Sequence, residues 1–454
     1  MSAITLESLR PCLEGIIPAQ LATVSPDGIP NTTYVSQVDY VDTRHVAVSF
    51  QFFNKTRENI LAHPHAEVVV IHPVTAASYR MRLRYLRTET AGKVFERMKA
   101  RLAGIASHTG MAGIFVLKGA DIYEVEGIER IPGKELPDAP AARSLAPALR
   151  AATERIAAAQ DLDSLFEATL SALREEFDIA HAMVLMWDAA ARKLFTVASH
   201  GYPVSGVGSE ICLGEGVIGV AAEHLTPIRI PHFTTEFGYG RAIREEALQS
   251  ALQAQVQQQI PFPGLDKPQC QLAAPITARG RLLGVLYVES PIDSRFNYDH
   301  EDILVALALQ LGLSMILVEA GGEPEAPVVP VRETAPAGEP ITVRHYQADD
   351  SIFVGEDYLI KGVAGAILWR LLRVNQRAGR SDFSNRELRL DSSLRLPDID
   401  DNLEARLILL RRRLEERCDW LALEKTGRGR FSMRLGRPVR LVEVGGSEDT
   451  DRPG

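Results

Sequence analysis

Apolar and polar residues alternate through AQLATV (19–24), reverse at Asp27-Gly28, and alternate again in NTTYVSQVDYVD and HVAVSFQF. This pattern predicts an antiparallel meander with one buried face. At residue 54 the period changes from two to nearly four, so NKTRENI predicts a helix with Asn54 as its N-cap. AEVVVI and SYRMRLRYLRTET predict two more strands, a helix is expected over about 93–103, and residues 113–131 read as a closing hairpin. A short helix over about 5–14 precedes them all.

The pattern then turns helical through residues 149–178, with apolar spacing at Leu162, Leu165, Phe166, Leu170 and Leu173. Strands follow in HAMVLMWD, KLFTVASHG, TPIRIPHF and QLAAPITARGRLLGVLYVESP, with a short helix inside LGEGVIGVAAEH. A last helix, over about 300–317, carries a wide apolar face of Leu304, Leu307, Leu309, Leu311 and Leu313. Such an order of helices and paired strands describes an α+β fold.

Short extended segments from Ile341 lead to a helix with Val363, Ile367, Leu368, Leu371 and Leu372 on one face. Ser384 opens a second helix as N-cap, with Glu387 three residues on in capping-box spacing. The third helix has an apolar stripe of Leu403, Leu407, Leu410 and Leu414, with arginines on the opposite side. A hairpin with the tip TGRGR closes the segment.

Two Pro-, Ala- and Glu-rich stretches, 132–147 and 321–340, interrupt these patterns and read as spacers. A chain of 454 residues exceeds one core. Three modules result: 1–131, 148–320 and 341–443, with a linker at 321–340 and a flexible tail at 444–454. The net charge of −9 argues against general nucleic-acid affinity. Residues 341–443 hold 20 Lys/Arg against 16 Asp/Glu, or +4, which leaves −9 − 4 = −13 on the rest. Four scattered cysteines, Cys12, Cys212, Cys270 and Cys418, suit a reducing compartment. The N-terminus has acidic residues and no long apolar run, so neither signal peptide nor membrane anchor is expected and the expected location is the cytoplasm.

Lys55 and Arg57 stand in the first turn of the NKTREN helix, where cations are unfavourable unless an anion is bound. A solvated basic turn explains them equally well. Arg80, Arg82 and Arg84 share one strand face and need water or an anion. The order of strands, DG turn, NKTREN helix, Arg-rich strand, helix and hairpin resembles the pyridoxamine 5′-phosphate oxidase-type, flavin-binding split barrel. The resemblance implies a β-barrel holding FMN. Its ring would lie against Val35, Ser36 and Gln37 and against Ser49, Phe50 and Gln51, with Asn54, Lys55 and Thr56 near the phosphate; Arg82 is counted with this set. Relatives of this fold also bind haem or the deazaflavin F420, and some bind nothing. The Arg/His/Trp-containing end of a true pyridoxamine phosphate oxidase is missing after Asp121, which argues against that vitamer as substrate. His63, His65 and His72 lack a carboxylate at ligand spacing, so no metal site is expected. His108, in a loop of small residues, is a candidate ligand contact or a surface histidine.

Gly214, Gly216 and Gly219 form a GxGxxG, but the next extended run follows a helix of barely two turns and offers no βαβ unit. The second module instead resembles a GAF domain, through WDAAARKL, GEGVIGVAA, GVLYVES and FNYDHEDILVALALQLG. That resemblance implies a small-molecule ligand, with residues 232–258 bounding the pocket as a lid or a solvated insertion, and a homodimer. Cys212 and Cys270 are expected as two buried thiols. The third module resembles the winged-helix output domains of bacterial response regulators, an α/β unit. On that resemblance Arg406, Arg413 and Arg417 would face DNA, and Lys425, Arg428 and Arg430 would touch its backbone. Asp398, Asp400, Asp401 and Glu404 crowd the start of that helix and weigh toward protein docking. Three functions stay open: a ligand- or redox-responsive transcription regulator, an FMN-dependent oxidoreductase regulated by its other modules, and a protein-docking scaffold.

Overall fold

The structure, a computed structural model, describes residues 4–13, 17–35, 37–50, 54–92, 94–99, 117–137, 144–230, 260–320, 338–391, 394, 403–427 and 429–445. The first module opens on a 3-10 turn, Glu7–Leu13, because Pro11 removes a backbone donor that a continuous α-helix over 5–14 would use. Strands β1 (Ala19–Val24), β2 (Pro30–Val35), β3 (Val38–Tyr40) and β4 (His45–Phe50) follow, then α1 (Asn54–Ala62). Strands β5 (His65–Ile71) and β6 (Ser78–Glu89), the short helix α2 (94–99) and β7 (Gly119–Ile131) complete it. The seven strands form one antiparallel sheet in the order β2-β1-β5-β6-β7-β4-β3. Within the described residues the expected closing hairpin is one 13-residue strand set between β6 and β4. Two bulges in the β6–β7 ladder increase the local bend and twist of the sheet. Leu21, Val68, Met81, Leu83 and Tyr123 pack in one buried cluster, while Phe95 and Met98 of α2 cover Ala47, Ala120 and Ile122.

The second module starts with two helices where one continuous amphipathic run was expected. α3 (Ala146–Ala157) stops, and α4 (Leu162–Phe177) restarts at Asp161, whose carboxylate accepts the Ser164 amide in a capping box. Strands β8 (His181–Asp188), β9 (Lys193–His200) and β10 (Glu210–Cys212), helix α5 (Gly216–His224), strands β11 (Ile228–Ile230), β12 (Cys270–Ala278) and β13 (Arg281–Ser290), and helix α6 (Tyr298–Ala320) follow. The sheet order is β10-β9-β8-β13-β12-β11 and every pair is antiparallel, which rules out a dinucleotide-binding βαβ at the three glycines. Of those glycines, Gly219 serves packing, since a Cβ there would lie 2.2 Å from the Cys212 carbonyl oxygen, whereas Gly214 and Gly216 hold positive φ angles of 75° and 59° at the turn into α5.

By length and composition α6 is one helix that could cross a membrane. Leu304, Leu307, Ala308, Leu311 and Met315 pack in the core, whereas Leu309, Leu313 and Leu317 are exposed, so the expected single face splits in two. The first module docks near the start of α6: Arg10 pairs with Asp302 and stacks on Tyr298, whose hydroxyl donates to the Leu13 carbonyl at 3.3 Å.

The third module contains β14 (Ile341–Tyr346), β15 (Ser351–Val354), β16 (Asp357–Ile360), α7 (Gly362–Ala378), β17 (Asp382–Ser384), α8 (Asn385–Leu390), α9 (Leu403–Arg417), β18 (Leu421–Gly427), β19 (Arg430–Leu435) and β20 (Val439–Val444). Ser384 caps α8 as expected, accepting the Glu387 amide at 3.2 Å. β17, β19 and β18 form one small sheet. β20, beyond the expected hairpin, returns to pair in parallel with β14 at the edge of a second sheet. The strand ends at Val444, where the expected tail begins. One buried cluster runs without a break from α3 and α4 through β8, β9 and β12 into α7 and α9.

Candidate functional sites

In the first module, α1 is tied to the sheet by buried polar groups. Thr23 Oγ1 accepts from Asn31 Nδ2 (3.4 Å) and from Asn59 Nδ2 (3.1 Å), and Asn31 Nδ2 also reaches Thr56 Oγ1 at 3.0 Å. Thr56, 4 % exposed, therefore serves this network. Lys55 points outward, 4.0 Å from Glu58. Arg57 turns inward: it donates to Asp121 (2.8 Å) and Thr88 (3.0 Å) and lies over the Phe50 ring at 4.4 Å. At the paired ends of β3 and β4, on the sheet face opposite Asp121, Gln37 Oε1 and Ser49 Oγ are buried without a protein hydrogen-bond partner among the described residues. Val35 is buried at the end of β2.

Arg82 does not join this group. It lies over Gly127, whereas Ser49 pairs with Ala120, seven residues along β7, or roughly 20 Å at strand rise. The arginine face is met by carboxylates: Arg80 by Glu67, Arg82 by Glu129, and Arg84 by Glu124 and Glu126. No bound anion is needed to balance it. Ser36, Gln51 and His108 lie outside the described residues, as does the Asn54 side chain. His72 Nδ1 accepts from the Val74 and Thr75 amides and His65 stands 3.5 Å from Glu126, so these histidines do not converge.

In the second module, one sheet face carries a buried polar cluster. Glu289 accepts from the Tyr287 hydroxyl (2.9 Å), Gln271 Nε2 (3.4 Å) and the Leu265 amide (2.7 Å). Burial and the Glu289 charge push the Tyr287 phenol well above its ordinary range, so it remains a hydrogen-bond donor. Gln271 Oε1 keeps an unused acceptor site among the described residues. Residues 232–258, the expected pocket boundary, lie outside them. Cys270 is buried but Cys212 is exposed, contrary to expectation, and three strands separate β10 from β12, about 19 Å at sheet spacing.

Residues 5–125 match the family model for pyridoxamine 5′-phosphate oxidase, and residues 161–315 match that for the GAF domain. The first two modules are a split barrel of that oxidase type and a GAF domain. No curated protein matches the chain. Among solved structures, the GAF domain of an Acinetobacter phosphoenolpyruvate-protein phosphotransferase is 20% identical, covering 39% of this chain and 95% of that one at a TM-score of 0.31. An FMN-binding protein from Syntrophomonas wolfei is 18% identical, covering 28% and 86% at 0.25. Free methionine-R-sulfoxide reductase from Neisseria meningitidis is 17% identical, covering 41% and 99% at 0.31.

The third module meets the GAF domain through α9, and this meeting corrects the expected orientation of its arginines. Arg406, 6 % exposed, pairs with Asp188 at the end of β8 and lies over the Phe195 ring of β9 at 4.1 Å. Arg413, 4 % exposed, donates to the Leu359 carbonyl at 2.9 Å, and burial lowers its pKa. Neither faces solvent. Arg417 does, and Arg430 is half-buried, while Lys425 pairs with Asp161; Arg428 lies outside the described residues with Asp398, Asp400 and Asp401. Leu403 and every residue from Ala405 through Leu410 are buried, so α9 is covered on more than its expected stripe. Arg411 and Arg412 both reach Asp163, and Arg412 continues to Glu167 (2.6 Å) and the Val197 carbonyl (3.2 Å). Long-range partners of this kind leave no local spacing signal. Arg57 went unassigned for the same reason, its carboxylate lying 64 residues away.

Proposed function

We propose that the chain is a sensory regulator in which the split barrel takes a flavin, the GAF domain takes a small molecule, and the third module acts on DNA as a winged helix. The observation that carries this reading is the double use of two strands. Along β8, Met183 and Leu185 enter the core beneath α5, while Ala182, Val184 and Met186 enter the core shared with the third module. Asp188 and Phe195, on the same strands, hold Arg406. A ligand that shifts the α5 side of this sheet therefore acts on the strands that seat α9.

The oxidase-type family match favours a flavin, and the strand ends offer chemistry that suits one. Gln37 Oε1 can accept a ring N–H, Ser49 Oγ can donate to a ring carbonyl, and Lys55 with the first amides of α1 can face a phosphate. A bound flavin would supply redox chemistry that needs no catalytic triad. Purified chain titrated with FMN should quench flavin fluorescence and retain a flavin absorbance band after desalting. Absence of both refutes the flavin, and a haem or F420 band in the purified protein would replace it. DNA binding is tested by electrophoretic shift on genomic fragments, and the reading requires affinity to fall with salt as counterions are released.

A further inference from the structure

Four cations of the third module sit on four carboxylates of the GAF domain. Arg406 meets Asp188, Arg411 and Arg412 meet Asp163, Arg412 also meets Glu167, and Lys425 meets Asp161. Two of these carboxylates, Asp161 and Asp163, stand at the N-terminal end of α4, where the helix dipole already favours negative charge, and Glu167 follows one turn on. Burial alone would raise the Asp161 carboxyl, but hydrogen bonds from Lys425 and Ser164 hold it at about 2, so it stays ionised. Around the pairs, the Ser205 hydroxyl donates to Glu416, and Lys361 stands 3.2 Å from Glu210.

We infer that this acidic patch stands in for a nucleic-acid backbone: it occupies the cationic surface of α9 and β18, and the third module engages DNA only after separating from the GAF domain. The inference rests on the DNA-binding reading above. Helix α9 has no free face wide enough for a major groove while Leu403 and Ala405 through Leu410 are covered. Arg411, Arg412 and Lys425 cannot serve phosphates and carboxylates at once. Docking and DNA binding are thus exclusive. Because the Arg411 and Lys425 side chains keep 22% and 39% of their exposure, added salt screens the contact and the lock is releasable.

The test uses the full chain and arginine-specific labelling by phenylglyoxal, resolved by mass spectrometry. In wild type, Arg406 and Arg412 are expected to react far more slowly than exposed Arg417. Asp163→Arg should lower that protection about tenfold, the effect of ~1.4 kcal/mol, and raise affinity for a short random-sequence duplex by a similar factor. The swap Asp163→Arg/Arg411→Asp, which has the wild-type net charge, should restore both. If Asp163→Arg leaves Arg406 and Arg412 protected, or if the swap stays open, charge does not hold the modules together and the inference falls. Opening without any gain in DNA affinity keeps the charge lock and overturns the nucleic-acid reading beneath it.

Discussion

Replacing Asp188 by asparagine removes a counter-charge of Arg406 while keeping the side-chain oxygen that accepts the Ala191 amide at 3.0 Å. Side-chain exposures of 7% for Arg406 and 14% for Asp188 make this a buried pair. Breaking such a pair from one side costs up to about 3–5 kcal/mol, because a desolvated cation loses a counter-charge. The stacking of Arg406 over Phe195 survives and offsets about 0.5–2 kcal/mol of interaction at most. Undocking is the escape route, since it hydrates the guanidinium. The loss is therefore the smaller of the pair's cost and the docking free energy, and we expect about 2–4 kcal/mol. Urea unfolding followed by fluorescence of neighbouring Trp187, with a slope of about 2 kcal/mol per molar, should show the midpoint falling by roughly 1–2 M. The third module's transition should separate from that of the GAF domain. Arg417→Ala, on an exposed site of the same helix, should cost less than about 0.5 kcal/mol. If Asp188→Asn shifts the midpoint no further than Arg417→Ala does, the Arg406 contact contributes nothing and the docking argument fails.

Gly365→Ala in α7 should destabilise by about 1–3 kcal/mol, because overpacking outweighs the helix-propensity gain of ~1 kcal/mol. The new Cβ would lie 2.0 Å from the Asp350 carbonyl oxygen, and a raised melting temperature would contradict that contact. Thr23→Val strips the acceptor from two amide donors of the α1 network and should cost about 2 kcal/mol and weaken FMN uptake, read by thermal melting and flavin fluorescence. Burial first, and Arg295 second, hold His300 at about 4, with Nδ1–H donated to Asn297 and Nε2 accepting from Arg295. The unfolded chain protonates this residue first, near ~6.5, so stability is full above that pH and falls as pH drops towards 4, by at most about 3 kcal/mol. His300→Gln should flatten that part of the pH–stability curve, and an unchanged slope would show that the ring titrates freely.

Local patterns were legible wherever one element decided them. Alternation located the barrel strands, the change of period located α1, and the Ser384 cap located α8. The break between α3 and α4 carried a signal, Asp161 three residues before Ser164, that apolar spacing overrode. Ile408 and Leu409 fall off the stripe of Leu403, Leu407, Leu410 and Leu414, and their burial against the GAF side is what an extra apolar face on a helix announces. The arginines misled because charge at helical spacing reads as a solvated face. Their partners, Asp163 and Asp188, stand more than two hundred residues earlier. At the expected barrel site, local spacing put Lys55 and Arg57 together in one helical turn, but the structure parts them: Lys55 is exposed near Glu58, and Arg57 is committed to Asp121, 64 residues on.

The parallel return of β20 onto β14 gives the chain an order of assembly. Ile341 finds its partner only when Val439 has emerged, so the sheet of the third module cannot close until the chain through Val439 has left the ribosome. Domains form N-terminal first during synthesis, at about 5–20 residues per second. By then α4 and β8 have had many seconds to fold and present their carboxylates. The arginine helix is thus made after the surface that covers it, and its docking needs no later rearrangement of the GAF domain.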